Sequence, residues 1–347
     1  MTVAEIIDEF DGATRQSFAA FVDSCPFWSY QQTPGWLAAV PAHPRHHYLA
    51  VICRRDDAII GSAVVRRSKL AGPYWLASSA RGPLVRDPAD LGEVIRAIGD
   101  VLRDTGAATW QLAPRVRGRD LPAKAEAMRA AGATPLPASQ QSLHVATGIV
   151  WLDKPEDDIL AGFGQSGRRK LKAATKAGVQ VRAVESEADI AAFQRALDIF
   201  DANRPAYEMS STPDAKAQAG LIEELGGAML LAEKDGVLLG AASYVHQGGE
   251  AIWLTLASTD AEPKIPSNYL LLWEAMRRAR ASGCVGYDLA GVPIDEPSDP
   301  GEKGRMQFKN AFRPHRRVML PMHSIALKPV AHSLLFTSRQ LVRSVLK

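Results

Sequence analysis

The chain is poor in the residues that mark several large protein classes. Its 347 residues include only three cysteines, Cys25, Cys53 and Cys284, far apart and odd in number. That argues against a disulfide framework and a cysteine-rich zinc site, and it fits a reducing compartment. Each thiol is expected to behave as a small buried hydrophobe. No uncharged apolar run reaches the length of about 18 residues that a transmembrane helix needs. The first ten residues already hold Glu5, Asp8 and Glu9. An export signal would show a basic start and an apolar stretch there, so none is expected. Charge of one sign is also scarce, with 41 Lys and Arg against 38 Asp and Glu, a formal net charge of +3. Bulk charge therefore does not mark a protein that coats nucleic acid, although a local basic groove stays open.

Several motifs are missing as well. No Gly-x-x-x-x-Gly-Lys-Ser/Thr loop occurs, which excludes a P-loop nucleotide site at the motif level. No Gly-x-Gly-x-x-Gly follows a strand, so a Rossmann site has no support. The absence of Gly-x-Ser-x-Gly removes the common serine hydrolase reading. His43, His46 and His47 cluster without an acidic or Cys partner nearby. They read as a solvated loop, and no metal site is expected.

What is present is a folded chain, 46% hydrophobic and 23% charged. A length of about 150 residues per domain gives roughly two domains. The pattern alternates between strand-like and helix-like stretches, which predicts an α/β or α+β fold. Residues 14–24 read as an amphipathic helix with Phe18, Phe21 and Val22 on one face. Strands follow at 48–53 and 58–65, a helix at 91–105, a strand at 108–112, a helix at 124–131 and a strand at 142–152. A second series begins with helices at 155–161 and 164–177, a strand at 179–184 and a long helix at 187–202. Strands at 228–233, 237–246 and 250–257, a helix at 269–281 and a strand at 285–289 complete it. Asp235-Gly236 and Gly248-Gly249 supply residues that tolerate the positive φ of tight hairpins. The shared order of elements in the two series suggests two copies of one α/β fold. Residues 325–346 read as a basic amphipathic helix.

Three stretches carry residues suited to chemistry. Arg168, Arg169, Lys170, Lys172, Lys176 and Arg182 follow one another without an intervening acidic residue. On a helix, Arg169, Lys172 and Lys176 share a side. Such a stripe attracts phosphates or an RNA backbone, and a solvated helix face is the plain alternative. Next, Pro266-Ser267-Asn268-Tyr269 opens a helix, and the following strand holds Tyr287-Asp288-Leu289-Ala290-Gly291. Ser267 or Asn268 is expected to cap that helix, and a helix N-terminus beside strand ends can meet an anion. Finally, Gln307-Phe308-Lys309-Asn310-Ala311-Phe312 follows an acidic loop at 292–304 rich in Gly and Pro. A lysine set between aromatic residues can stabilise a developing oxyanion, and a surface lysine on a strand is the alternative.

Further stretches fall into an order with these. They are Gln32-Thr33-Pro34-Gly35-Trp36, Ala80-Arg81-Gly82-Pro83-Leu84, Gln140-Gln141-Ser142 leading to Ile149-Val150-Trp151-Leu152, and Gln165-Ser166-Gly167 ahead of the basic run. In that order, from about residue 25 to 325, the chain resembles the FemAB/FemX family, the aminoacyl-tRNA-dependent ligases that extend peptidoglycan precursors. The resemblance implies an α/β (α+β) fold of two tandem GNAT-like domains, 1–148 and 149–323, with 324–347 as a C-terminal basic helix. No long helical arm is inserted, so the chain looks like an armless branch. The implied reaction is attack of an amine on the ester carbonyl of an aminoacyl-tRNA. Lys309, with Phe308, matches the family's lysine near that carbonyl, and Tyr269 matches a tyrosine at the acceptor channel. Arg204, Asn268, Tyr287, Asp288 and Trp36 are the implied substrate contacts. Arg168, Arg169, Lys172 and Lys176 are the candidates for tRNA phosphates. Aminoacyl-tRNA enters as co-substrate, with no metal and no nucleotide cofactor.

The implied acceptor is a peptidoglycan-precursor peptide or another small amine. A cytoplasmic monomer is expected, with peripheral membrane contact through 324–347 left open. The chain departs from the family at Ala38, where precursor-binding members can present a lysine, and at Ala113, where some have Asp. A CoA-dependent N-acyltransferase is the rival enzyme reading. The stretch from Asp260 to Asn268, where a CoA loop belongs, has no glycine and two prolines. A non-catalytic, envelope-associated binding protein is the rival of another class, supported by the basic tail.

Overall fold

The computed structural model describes residues 2–40, 46–70, 72–116, 118–203, 213–259, 261–297 and 299–334. The chain divides into two compact units. One comprises residues 1–37, 42–143 and the chain from Met319 onward, and the other residues 38–41 and 144–318.

The first unit runs β1 (Thr2–Ile7), α1 (Gly12–Ser24), α2 (Pro34–Ala39), β2 (His46–Arg55), β3 (Ala58–Lys69), β4 (Trp75–Ser79), β5 (Leu84–Val85), α3 (Leu91–Asp104), β6 (Ala107–Leu112), α4 (Leu121–Ala130) and β7 (Thr134–Pro135). The second unit runs β8 (Ala146–Trp151), α5 (Glu156–Gly162), α6 (Gln165–Lys176), β9 (Gln180–Ala183), α7 (Glu187–Ala202), α8 (Ala215–Leu225), β10 (Gly227–Lys234), β11 (Val237–Gln247), β12 (Glu250–Ser258), α9 (Ser267–Ala281), β13 (Gly286–Gly291), α10 (Pro300–Asn310) and β14 (His315–Val318). The last strand, β15 (His323–Ala326), rejoins the first unit's sheet between β6 and β7.

The two sheets share a plan. Each has three antiparallel strands in spatial sequence, β1-β2-β3 and β9-β10-β11. A fourth strand follows, β4 or β12, and pairs in parallel with the strand after a helix, β6 or β13. The parallel pair requires a crossover, and α3 and α9 supply it. The helix faces follow the apolar spacing: Leu91, Val94, Ile95, Ile98 and Leu102 of α3 are all buried. In α6 only Gly167, Leu171 and Ala174 turn inward. A capping box between Ser186 and Asp189 starts α7.

Both faces of the second sheet are covered. Leu230 and Ala232 of β10 pack with α6 and α9, whereas Met229 and Leu231 pack with α7 and α8. Among the described residues the longest helix has 16 residues, and none of them forms a long helical arm. No described helix is long and apolar enough to cross a membrane.

Three expectations need correction. Residues 300–310 form a helix, not the end of a loop and a strand. Asp299 caps it by accepting the Glu302 N–H at 2.8 Å, and Pro300 occupies its first turn. The glycines and prolines nearby masked this start signal. Neither Ser267 nor Asn268 caps α9, whose cap position is Pro266, with no side-chain hydrogen bond; Ser267 is itself helical and buried. The tail is not helical from 325: residues 323–326 are strand β15, residues 329–334 are helical, and the remainder lies outside the described residues.

A buried ion pair braces the second sheet. Glu250, fully buried, accepts two hydrogen bonds from Arg317, at 2.7 and 2.5 Å. Replacing Arg317 with Met removes the cation paired with this buried carboxylate, and urea unfolding should show a loss of about 3–5 kcal/mol. Pairing that change with Glu250→Gln should recover most of it.

Candidate active site

The parallel pairing of β12 with β13 ends after two residue pairs, Ala251 with Tyr287 and Ile252 with Asp288. In the first unit β4 and β6 stay paired through five, from Trp75–Ala107 to Ser79–Leu112. Two local features open the second seam. Leu254 is the extra residue of a bulge in β12, because Trp253 faces Tyr244 while Thr255 faces Ser243. On the other strand, Asp288 Oδ1 accepts the Ala290 N–H at 2.8 Å, and Ala290 adopts a left-handed φ of 58°. A non-glycine residue rarely takes that conformation, and here the carboxylate supports it. The strand is bent away and the Gly291 carbonyl is turned toward α10.

Lys309 of α10 meets that carbonyl. Its Nζ donates to Gly291 O at 2.5 Å and lies 4.9 Å from the Trp253 ring centroid. The side chain is 8% exposed. An ammonium has three N–H donors, so two remain for a ligand. Burial lowers the Lys309 pKa to about 8; the Asp288 carboxylate opposes this shift and Arg305 adds to it. The group thus carries both protonation states near neutral to mildly alkaline pH.

The position of α10 is set from outside the cavity by α6. The Gly164 N–H donates to Ala311 O at 2.9 Å, at the C-terminal cap of α10. Gly167 lies so close to the same carbonyl that a Cβ would sit 2.4 Å from its oxygen. The Gln165-Ser166-Gly167 stretch therefore clasps the helix that carries Lys309. An aromatic cluster completes the support: Phe308 packs on Tyr269 at 4.8 Å and Phe312 at 5.5 Å, and Phe163 packs on Phe312 at 5.1 Å.

A cavity of about 620 Å³ lies at the open seam. Trp253 to Leu256 of β12, Asn268 of α9, and Gly304, Arg305, Phe308 and Lys309 of α10 form part of its lining. Gln194, Leu197, Phe200 and Asp201 of α7, with Pro213 and Asp214 before α8, form the rest. The lining therefore draws on helices from both faces of the sheet.

The structure brings Lys309, Phe308 and Asn268 onto this cavity. Tyr269 stands behind Phe308. Tyr287 is a core residue, 1% exposed and packed 5.7 Å from Tyr244, rather than a lining residue. Asp288 is buried too, and it acts through Ala290 and the charge it presents to Lys309. Trp36 belongs to the first unit, where it is buried against Tyr30 at 5.2 Å. Arg204 lies outside the described residues.

The basic residues of α6 separate into two kinds. Arg168 bonds the carbonyls of Ala161 and Phe163. Arg169, Lys170, Lys172 and Lys176 are exposed, and none has a carboxylate partner among the described residues. Arg182, in the same sequence run, is held by Glu233 and Asp189. In the first unit, the Gln32 amide accepts the Val64 N–H and donates to Ala80 O beside Gly82, so two of the ordered motifs form a packing device.

Sequence reasoning missed Arg305, Trp253, Thr255, Gln194, Asp201 and Asp214. Trp253 had a signal, an aromatic residue in a strand opposite a motif-bearing one. The others become neighbours only once the strands part.

The ammonium of Lys309, followed by carbon-13 labelling and NMR, should titrate near pH 8. Asp288→Asn should lower that midpoint further, because the carboxylate favours the charged form. A midpoint at the ordinary lysine value would contradict the burial described above. Gly167→Ala forces a methyl against a backbone oxygen and should cost about 1–3 kcal/mol in a denaturant melt.

Residues 164–310 match the acetyltransferase (GNAT) domain family. No curated protein is similar to the chain in sequence. The chain is similar in fold to the crystal structure of FemX, with a TM-score of 0.78 at 17% identity, covering 95% of this chain and 99% of that one. It is also similar to L-PGS from Bacillus licheniformis, with a TM-score of 0.60 at 11% identity over 98% and 99% of the two chains. A tandem GNAT protein from the clavulanic acid biosynthesis pathway gives 0.57 at 13% identity over 95% and 99%. The resemblance noted in the sequence thus extends to the fold: residues 164–310 match the GNAT domain family, and the chain as a whole has a fold like that of FemX.

Proposed function

We propose that the chain is an aminoacyltransferase that moves an aminoacyl group from tRNA to a small amine or a peptidoglycan-precursor peptide, with Lys309 at the reacting carbonyl. The observation that carries this is the buried Lys309 ammonium, with donors to spare at an open strand seam. The amine nitrogen attacks the ester carbonyl, the C–N bond forms and negative charge gathers on the carbonyl oxygen. Lys309 donates to that oxyanion in a partly dehydrated site, where such a bond is strong. When the C–O bond breaks, Lys309 passes a proton to the leaving ribose oxygen and recovers one from the attacking nitrogen. Phe308 and Trp253 keep water from the ester.

Two features favour tRNA over a CoA thioester. The approach to α9 offers a pyrophosphate few backbone donors. Pro266 has none, the Ser267 N–H is spent on Ile265 O at 2.9 Å, and the Tyr269 N–H on Pro266 O at 3.2 Å. In contrast, Arg169, Lys170, Lys172 and Lys176 present a row of exposed cations on the helix that clasps α10. That row suits a phosphate backbone.

Incubation with mixed charged tRNAs and candidate amines, read by mass spectrometry, tests the reading. Lys309→Met should lower transfer by roughly 10²–10³-fold, the scale of losing one oxyanion donor. Lys172→Ala with Lys176→Ala should weaken tRNA binding and reduce the slope of log affinity against log salt by about 0.7–0.9 per lysine. Consumption of acetyl-CoA without discharge of tRNA would overturn the donor assignment.

A further inference from the structure

The polar side chains on the cavity differ in how much hydrogen bonding they have left. Gln194 accepts the Ala215 N–H at 2.8 Å and donates to Asp198 at 2.8 Å. Thr255 Oγ1 donates to the buried Gln218 at 3.2 Å, and Asp214 caps α8 by accepting the Ala217 N–H at 2.8 Å. These groups are engaged by the fold. Asn268, which lines the same cavity, is not. Its Oδ1 is buried without a hydrogen-bond partner, and its Nδ2 has none among the described residues. Asparagine near a helix start commonly serves as a cap, yet Asn268 stands inside α9 and caps nothing. A buried carbonyl oxygen left empty is costly, and a native fold rarely keeps one without a use. The whole carboxamide, two N–H donors and an acceptor oxygen, is thus held for something outside the fold.

Its position says which part of a ligand it meets. Lys309 lies at the Trp253 ring. Asn268 lies over Gly240 of β11, where a Cβ would stand 3.3 Å from the Asn268 Oδ1, and Gly240 pairs with Ser258 of β12. Leu254, Thr255 and Leu256 line the cavity between these two levels of β12. A ligand whose ester carbonyl rests at Lys309 therefore extends along β12 to reach the carboxamide. The helix that carries Asn268 is also the one on which α6 packs, through Leu171, Ala174, Leu271, Leu272 and Ala275. Asn268 thus belongs to the side of the site that carries the exposed α6 cations. On that side the group next to a tRNA ester is the terminal nucleoside, which is always adenosine. Adenine sets an amino donor beside a ring-nitrogen acceptor, and a carboxamide matches that pair in one plane. Apolar floor residues suit the faces of an unstacked base. The last torsion of asparagine is soft, so the buried oxygen can turn to the ligand.

We propose that Asn268 is a specificity-determining residue for the donor, and that its carboxamide reads the terminal adenine by accepting from the 6-amino group and donating to the ring nitrogen beside it. This rests on the aminoacyl-tRNA reading. The α6 cations then hold the donor by its phosphates without regard to base, Asn268 checks its last base, and Lys309 meets its ester.

The test is fluorescence anisotropy of the full chain with a labelled acceptor-stem RNA hairpin ending in cytidine-cytidine-adenosine, against the same hairpin ending in purine riboside, which lacks the 6-amino group. The wild-type protein is expected to bind the adenosine end roughly ten-fold more tightly, the scale of one hydrogen bond. Asn268→Ala should bind both ends equally; Asn268→Leu keeps the volume and serves if the smaller side chain does not fold. Lys172→Ala with Lys176→Ala should weaken both ends alike and keep the ten-fold ratio, because phosphate contacts carry no base information. Equal affinity of the wild-type protein for the two ends, binding of neither, or an Asn268 variant that keeps the preference would overturn the inference. Absence of transfer from mixed charged tRNAs by the wild-type protein would overturn the underlying reading, and that is a separate assay, so the two failures are told apart.

Discussion

The interruption of one strand pairing is the constraint on which the site depends. β12 and β13 hold together for two residue pairs and then part. A closed seam, as between β4 and β6, would leave no room for a ligand between the strands. The opening is built from a bulge at Leu254 and a left-handed Ala290 held by the Asp288 carboxylate. Both cost ladder hydrogen bonds. The buried Glu250–Arg317 pair and the long β10–β11–β12 pairings secure the sheet around the gap.

The same opening determines what Lys309 is. On an intact surface a lysine would be solvated and fully charged. Here it is enclosed by Trp253 and Phe308 and anchored by one carbonyl, and burial pulls its pKa to about 8. Its helix is clasped by Gly164 and Gly167 of α6, whose outer face carries free cations. The exposed cations and the buried lysine, which the proposed reaction assigns to phosphate attraction and carbonyl activation, thus stand on two directly connected helices.

Much of this architecture could be read before the structure. Strands β8 and β10 to β13 of the second sheet fall on runs rich in apolar residues, and both hairpin turns fall where Asp-Gly and Gly-Gly stand, whereas β14, His-Arg-Arg-Val, carries no such signal. The basic stripe on α6 follows from helical periodicity alone. Other parts were hidden for physical reasons. Helix α10 starts in a stretch of Gly and Pro whose composition suggests a loop, and only the Asp299-Pro300-x-Glu302 signal betrays it. Arg168 and Arg182 look identical to their neighbours in sequence, yet backbone carbonyls and carboxylates claim them. Tyr287 and Trp36 look in sequence like surface ligand contacts, and the structure buries both in aromatic packing. Gln218 and Thr255 meet only through a bulged strand, which no local pattern announces.

The most direct measurement is a crystal structure with a non-reactive aminoacyl-tRNA end, a short CCA oligonucleotide carrying the amino acid through a 3′-amide. The expected result is an amide carbonyl within hydrogen-bonding distance of Lys309 Nζ, at the seam between β12 and β13. An oligonucleotide bound elsewhere, with Lys309 still turned only to Gly291, would contradict it.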